Sequence, residues 1–91
     1  MTTSTKVQQS HLSESKIQAK LIKKLEADGY YVLKLIKTNK SGIPDILALK
    51  KDQIPYFIEV KAKNGSPSVL QEYRIKELND LGFKAEISYG H

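Results

Sequence analysis

The chain predicts an α/β domain with the element order α-β-β-β-α-β. Three observations carry the prediction. They are a capped helix with an apolar stripe near the amino end, a second capped helix near the carboxyl end, and four short apolar or alternating runs bounded by Gly, Pro, Asn and polar turns. With 91 residues, a single domain is expected. It should span 13–91, behind a polar tail at 1–12 in which Thr, Ser and Gln dominate.

The first helix runs from about Glu14 to Ala27. Ser13 suits the N-cap, because its hydroxyl can accept from a free first-turn amide, and Gly29 suits the stop. Ile17, Leu21 and Leu25 recur every four residues with Ile22 beside them, so they share a face. Lys16, Lys20, Lys23 and Lys24 fall opposite and read as a solvated side. Tyr30 to Lys37, rich in Tyr, Val, Leu and Ile, reads as a strand, and Thr38 to Gly42 as a loop. Asp45 to Leu49 and Tyr56 to Ala62 read as a hairpin around polar Lys51-Asp52-Gln53, with Pro55 tolerated at the entry of the second strand. Pairing Lys50 with Pro55 sets Asp45 opposite Val60 and next to Glu59 and Lys61, and a small slip in register keeps them close. Asn64-Gly65-Ser66-Pro67 breaks the chain. A second helix then runs from about Val69 to Leu81, opened by the capping box Ser68-Val69-Leu70-Gln71 and ended by Gly82. Phe83 to Ser88 alternates Phe83, Ala85 and Ile87 with Lys84, Glu86 and Ser88, the pattern of a half-buried strand.

Composition excludes several classes. The chain has no Cys, so neither a disulfide scaffold nor a Cys-based zinc finger is expected. Its apolar runs are too short to span a membrane, and Met1 to Ser10 lacks the apolar stretch of a secretory signal. An intracellular location is therefore expected. Hydrophobic residues make up 40%, enough for one small core, and so small a domain is marginal enough that pairing with a second copy is plausible. The net charge of +5 comes almost wholly from lysine, Arg74 being the sole arginine, and favours a polyanionic partner or an acidic membrane surface.

Three acids sit where a plain fold would not put them. Glu14 projects along the Ile17, Leu21, Leu25 stripe and should point toward the core side; the plainer reading is a first-turn acid favoured by the helix dipole. Asp45 opens a strand after Gly42-Ile43-Pro44; the plainer reading is a loop-end aspartate bonded to nearby amides. Glu59 lies inside Phe57-Ile58-Glu59-Val60-Lys61-Ala62, the most apolar strand. Phe57, Glu59 and Lys61 share one face and Ile58, Val60 and Ala62 the other, so Glu59 and Lys61 could simply be a solvated pair. Gln71 falls on the face of the second helix that carries Ile75 and Leu78, and its cap role competes with any role in a site. Together, clustered carboxylates repel and call for protonation or a cation. A hard divalent ion answers that need, because Mg²⁺ takes one or two protein carboxylates and retains waters. Ion and lysine then suit a phosphodiester: the ion polarises a phosphoryl oxygen, and Lys61 can stabilise the growing charge or orient water.

Pro44-Asp45, followed after thirteen intervening residues by Glu59-Val60-Lys61, is similar to the PD-(D/E)xK nuclease motif. With Ser13-Glu14 opening a helix, Gly42-Ile43-Pro44-Asp45, Glu59-Val60-Lys61-Ala62 and Ser68-Val69-Leu70-Gln71, residues 13–83 resemble the virus-type replication-repair nuclease (VRR-NUC) domain in order and spacing. The resemblance implies a restriction-endonuclease-like core, with a mixed four-stranded sheet flanked by helices, and a metal-dependent phosphodiesterase acting on DNA. By resemblance, Asp45, Glu59 and the Val60 carbonyl hold Mg²⁺ or Mn²⁺, and Lys61 serves water and phosphate. Glu14 completes the acidic cluster, through water or a second ion, and Gln71 lines the site. Products carrying a 5′-phosphate and a 3′-hydroxyl are implied. The minimal members it resembles are phage-encoded homodimers acting on branched DNA like Holliday junction resolvases, which would place the protein in the host cytoplasm. A two-fold dimer suits paired nicks.

Lys37, Lys40 and Lys63 bracket these residues in sequence and are the candidate phosphate contacts, which position without reading bases. His11 and His91 lie near the ends with no partner at ligand spacing, and packing is the favoured role for Tyr30, Tyr31, Tyr73 and Tyr89. The competing function is a structure-selective nucleic-acid binding module that keeps the fold without cleavage. A plain interaction protein would leave Glu14, Asp45, Glu59 and Gln71 unexplained.

Overall fold

Two helices and four strands follow one another as read from the sequence: α1 (Glu14–Ala27), β1 (Tyr31–Lys34), β2 (Ile46–Leu49), β3 (Tyr56–Val60), α2 (Val69–Asp80) and β4 (Lys84–Ser88). The computed structural model describes residues 13–90. The polar tail, His11 and His91 lie outside the described residues. The strands form one sheet in the order β1-β2-β3-β4. β1–β2 and β2–β3 are antiparallel, whereas β3 and β4, joined through α2, are parallel. The sheet is therefore mixed. A short turn reverses the chain within the hairpin, and the helical crossover restores its direction.

The sheet's alternation sorts residues between two helix layers. Ile46, Ala48, Ile58 and Val60 point to one side, where Ile17 and Leu25 of α1 close over them, with Leu21 and Ile22 packed at the margin. Ile46, Ile58 and Val60 are essentially free of solvent, each contributing about 1.5–3 kcal/mol of apolar burial. On the other side Phe57 meets Phe83, their ring centroids 5.9 Å apart. That is the side of α2, because its Gln71 reaches Glu59.

The register differs from expectation by a residue. Ile46 pairs with Ile58, Leu47 with Phe57 and Ala48 with Tyr56. Continued back along both strands, this pairing sets Asp45 opposite Glu59 rather than Val60. The turn is one residue tighter than the Lys50–Pro55 pairing allows: the Gln53 N–H donates to the Lys50 carbonyl at 3.1 Å and Asp52 adopts φ +64°. Strands also end earlier than their composition predicts. β1 stops at Lys34 rather than Lys37, after which the Leu35 N–H donates to the Asp45 carbonyl at 2.7 Å. β3 stops at Val60 rather than Ala62, where a turn closes from the Gly65 N–H to the Ala62 carbonyl. Phe83 precedes β4 because its N–H still closes the end of α2 onto the Leu78 carbonyl.

Candidate active site

Asp45, Glu59, Lys61 and Gln71 converge at the carboxyl end of β3. Asp45 is fixed first. One of its oxygens, Oδ2, accepts from the Val60 N–H at 3.0 Å, extending the β2–β3 ladder with a side chain where β2 has begun to diverge. The plain reading of Asp45 therefore holds for one oxygen and leaves the other available. Glu59 is not part of a solvated face. It is 2% exposed, the one buried charged residue among those described. A carboxylate in that position is costly unless it is paired.

Two donors hold one edge of it. The Gln71 Nε2 donates to Glu59 Oε2 at 3.0 Å, and the Lys61 Nζ stands 3.7 Å from the same oxygen with its side chain 15% exposed. The cap and site roles of Gln71 do not compete after all. Its Oε1 accepts from the Ser68 N–H at 2.9 Å and its N–H donates to Ser68 Oγ at 3.1 Å, completing the capping box, while the Nε2 end is free for Glu59. A side-chain amide carries an acceptor and two donors, so one residue can both start the helix and orient the carboxylate.

The second oxygen, Glu59 Oε1, is buried with no hydrogen-bond partner. Burial pushes the Glu59 carboxyl up to about 7, the neighbouring Asp45 charge adds to the shift, Lys61 opposes it and Glu14 contributes a smaller rise. Repulsion between acids was the expected cause; desolvation is the larger one. With a proton on Glu59, the two carboxyls can share it in a hydrogen bond. Without it, Oε1 lacks a positive partner.

Glu14 departs from its expected placement. It is exposed on the first turn of α1 rather than turned to the core side. The helix packs on the opposite side of the sheet from Glu59, against Ile46, Ile58 and Val60. The Glu14 charge is felt at Glu59. Yet no group of three His, Cys, Asp or Glu among the described residues stands close enough to hold a metal ion. The fit to a divalent cation thus rests on the Asp45–Glu59 pair and the unpartnered Oε1, with the Val60 carbonyl beside them and water to complete the shell. That donor set suits Mg²⁺ or Mn²⁺, which bind oxygen and tolerate few protein ligands.

Lys37 and Lys40 are exposed on the loop after β1, and Lys63 is exposed in the turn after β3. None of the three contacts the acidic pair. The lysines of α1 are exposed, as their side of the wheel predicts. Sequence reasoning passed over Arg74, whose Nε donates to the Ser41 carbonyl at 2.9 Å and whose guanidinium meets Glu77 at 3.0 Å. Its signal was available: an arginine alone in a lysine-rich chain marks a place where a planar fork is needed.

The fold and site together define a nuclease-like α/β domain, with a sheet-borne acidic pair beside a lysine. The family model of the VRR-NUC domain matches residues 2–91, and the chain belongs to that family. A solved structure described as a VRR-NUC domain superposes with a TM-score of 0.76 at 27% identity, covering 85% of this chain and 84% of that one. No curated protein matches the chain in sequence.

Proposed function

We propose that the domain is a divalent-metal-dependent endonuclease that hydrolyses DNA phosphodiesters, selective for branched DNA in the manner of a Holliday junction resolvase and acting as a homodimer. The observation that carries this reading is the buried, unpartnered Oε1 of Glu59 beside Asp45. A binding module has no use for such an atom, whereas a metal centre needs it.

Asp45, Glu59 and the Val60 carbonyl would hold the ion, which when bound supplies Lewis acidity and a more acidic water. Lys61 faces the same oxygen of Glu59 that Gln71 holds. Its ammonium is thereby kept near the phosphate's developing charge and can also orient the attacking water. Gln71 keeps the Glu59 carboxylate from rotating, so that Oε1 stays available. Glu14, exposed on the first turn of α1, would act through water. Lys37, Lys40 and Lys63 would contact phosphates. No helix among the described residues is long and apolar enough to cross a membrane.

The test is incubation of a labelled four-way junction and a linear duplex with Mg²⁺, with Mn²⁺ and with chelator. Junction cutting that needs metal and falls about a hundredfold or more in Asp45→Ala and Lys61→Ala is expected. Tight binding without cutting under every metal would instead establish the non-catalytic binding module.

A further inference from the structure

The segment between β1 and β2 is held at two places. At its neck the Leu35 N–H donates to the Asp45 carbonyl at 2.7 Å. At its tip Arg74 of α2 donates through Nε to the Ser41 carbonyl at 2.9 Å, while Nη1 bonds Glu77 at 3.0 Å. Next to that bond Gly42 lies against Leu70, with φ +79° and room for no Cβ, which would stand 2.7 Å from Leu70 Cγ. The loop is therefore clamped onto the start of α2, one turn from Gln71. Between the two ties it encloses an open concavity of about 340 Å³, lined by Lys37, Thr38, Lys40 and Ser41 with apolar neighbours. Thr38 Oγ1 closes a local turn by accepting from the Lys40 N–H at 3.3 Å.

The charges in this concavity are uncompensated. Lys37 and Lys40 have no acid within ion-pair distance among the described residues, as is true of most lysines of the chain; what sets these two apart is that they line one concavity on a loop tied at both ends. Two unpaired ammonium groups on a constrained loop suit a diester phosphate, which is anionic and needs charge rather than base reading. Arg74 is placed to hold this arrangement: its side chain is only 17% exposed, its Nε is spent on the Ser41 carbonyl and its Nη1 on Glu77. A loop fixed before the DNA arrives loses less conformational freedom on binding.

We infer that the loop from Leu35 to Ile43 is a seat for a backbone phosphate of the DNA, and that Arg74 is the positioning residue that keeps the seat formed. The inference rests on the nuclease reading for its ligand, and it leaves the acidic pair out of the loop's work.

The test measures dissociation constants by anisotropy, with a labelled duplex and a labelled four-way junction in chelator so that nothing is cut. Arg74→Met should raise both constants about tenfold, the loss expected for the one charged hydrogen bond to the loop. Arg74→Lys, which keeps the charge but not the fork, should stay several-fold weak, and calorimetric Mg²⁺ affinity at Asp45 and Glu59 should be unchanged in both. In a chain already carrying Lys37→Gln and Lys40→Gln, adding Arg74→Met should weaken binding by less than about twofold, because the arginine acts through those lysines. The inference is overturned by an unchanged constant in Arg74→Met, by full binding in Arg74→Lys, or by the same tenfold loss without the two lysines. A wild-type protein that binds neither DNA overturns the nuclease reading along with it. If the wild type binds but never cuts, and the arginine–lysine coupling is present, the seat is supported while catalysis is refuted.

Discussion

Glu59 is the residue on which the proposed chemistry turns, and its protonation would tie stability to metal. Its carboxyl titrates near 4.5 when solvated and is pushed up to about 7 in the fold, chiefly by burial. The folded protein therefore binds a proton that the unfolded chain has already released between those two values. Metal-free stability from this residue is full below about 4.5, falls as pH rises toward 7 and is flat beyond. The loss is on the order of 3 kcal/mol. Urea melts in chelator from pH 4 to pH 9 should show this fall. Glu59→Gln should remove it and leave the metal-free protein more stable at pH 8, and an identical slope in that variant would disprove the assignment. A divalent cation should restore most at high pH, where the carboxylate is ionised and Oε1 has no other partner.

At the scale of elements, what could be read from the letters depended on whether the signal was local. Ser13 and Ser68 were readable as caps because a hydroxyl three residues ahead of a free amide is a local device. Both accept the bond their spacing implies, from Lys16 and Gln71 respectively. The convergence of Asp45 with Glu59 was also legible, since a hairpin brings its ends together in any nearby register. The register itself was not, because it depended on the bend at Asp52, where a residue other than glycine takes a positive φ. Nor could the solvation of Glu14 and Glu59 be read. A helical wheel gives direction but not how far the packing against the sheet extends, and Glu14 on the first turn is exposed. Strand alternation likewise gave Glu59 a face without saying that α2 would cover it. Loop 35–43 was the most opaque, as its conformation depends on contacts to α2 from residues far along the chain. Gly42 tests that dependence. Gly42→Ala meets both an unfavourable φ and Leu70, so a loss of about 1–2 kcal/mol is expected in thermal melts. A melting temperature equal to the wild type's would mean that the loop is not clamped as described.

For the molecule as a whole, the helix layers leave part of the sheet uncovered. Tyr31 and Leu33 of edge strand β1 pair with Leu49 and Leu47 and share the side of the sheet that carries Phe57. α2 packs against β4 at the other edge, and Tyr31 is 69% and Leu33 38% exposed. An apolar face of this kind beside an open strand edge favours association with a second copy, in line with the proposed dimer. Light scattering should give twice the chain mass. Leu33→Glu should convert it to a monomer without lowering Mg²⁺ affinity, whereas a monomeric wild type would rule out the two-site arrangement for paired nicks. The basic excess lies mostly on lysines away from the acidic pair, so the field that would gather DNA and the pocket that would hold metal are separate parts of the same small surface.

Whether the acidic pair is a metal site can be asked without DNA, by calorimetric titration of Mn²⁺ into the protein at pH 8, with Asp45→Ala and Glu59→Gln alongside. Saturable uptake by the wild type, lost in both variants while their folds persist, is the predicted result. Absence of uptake by a folded wild type, or equal uptake by all three proteins, would contradict the account at its centre.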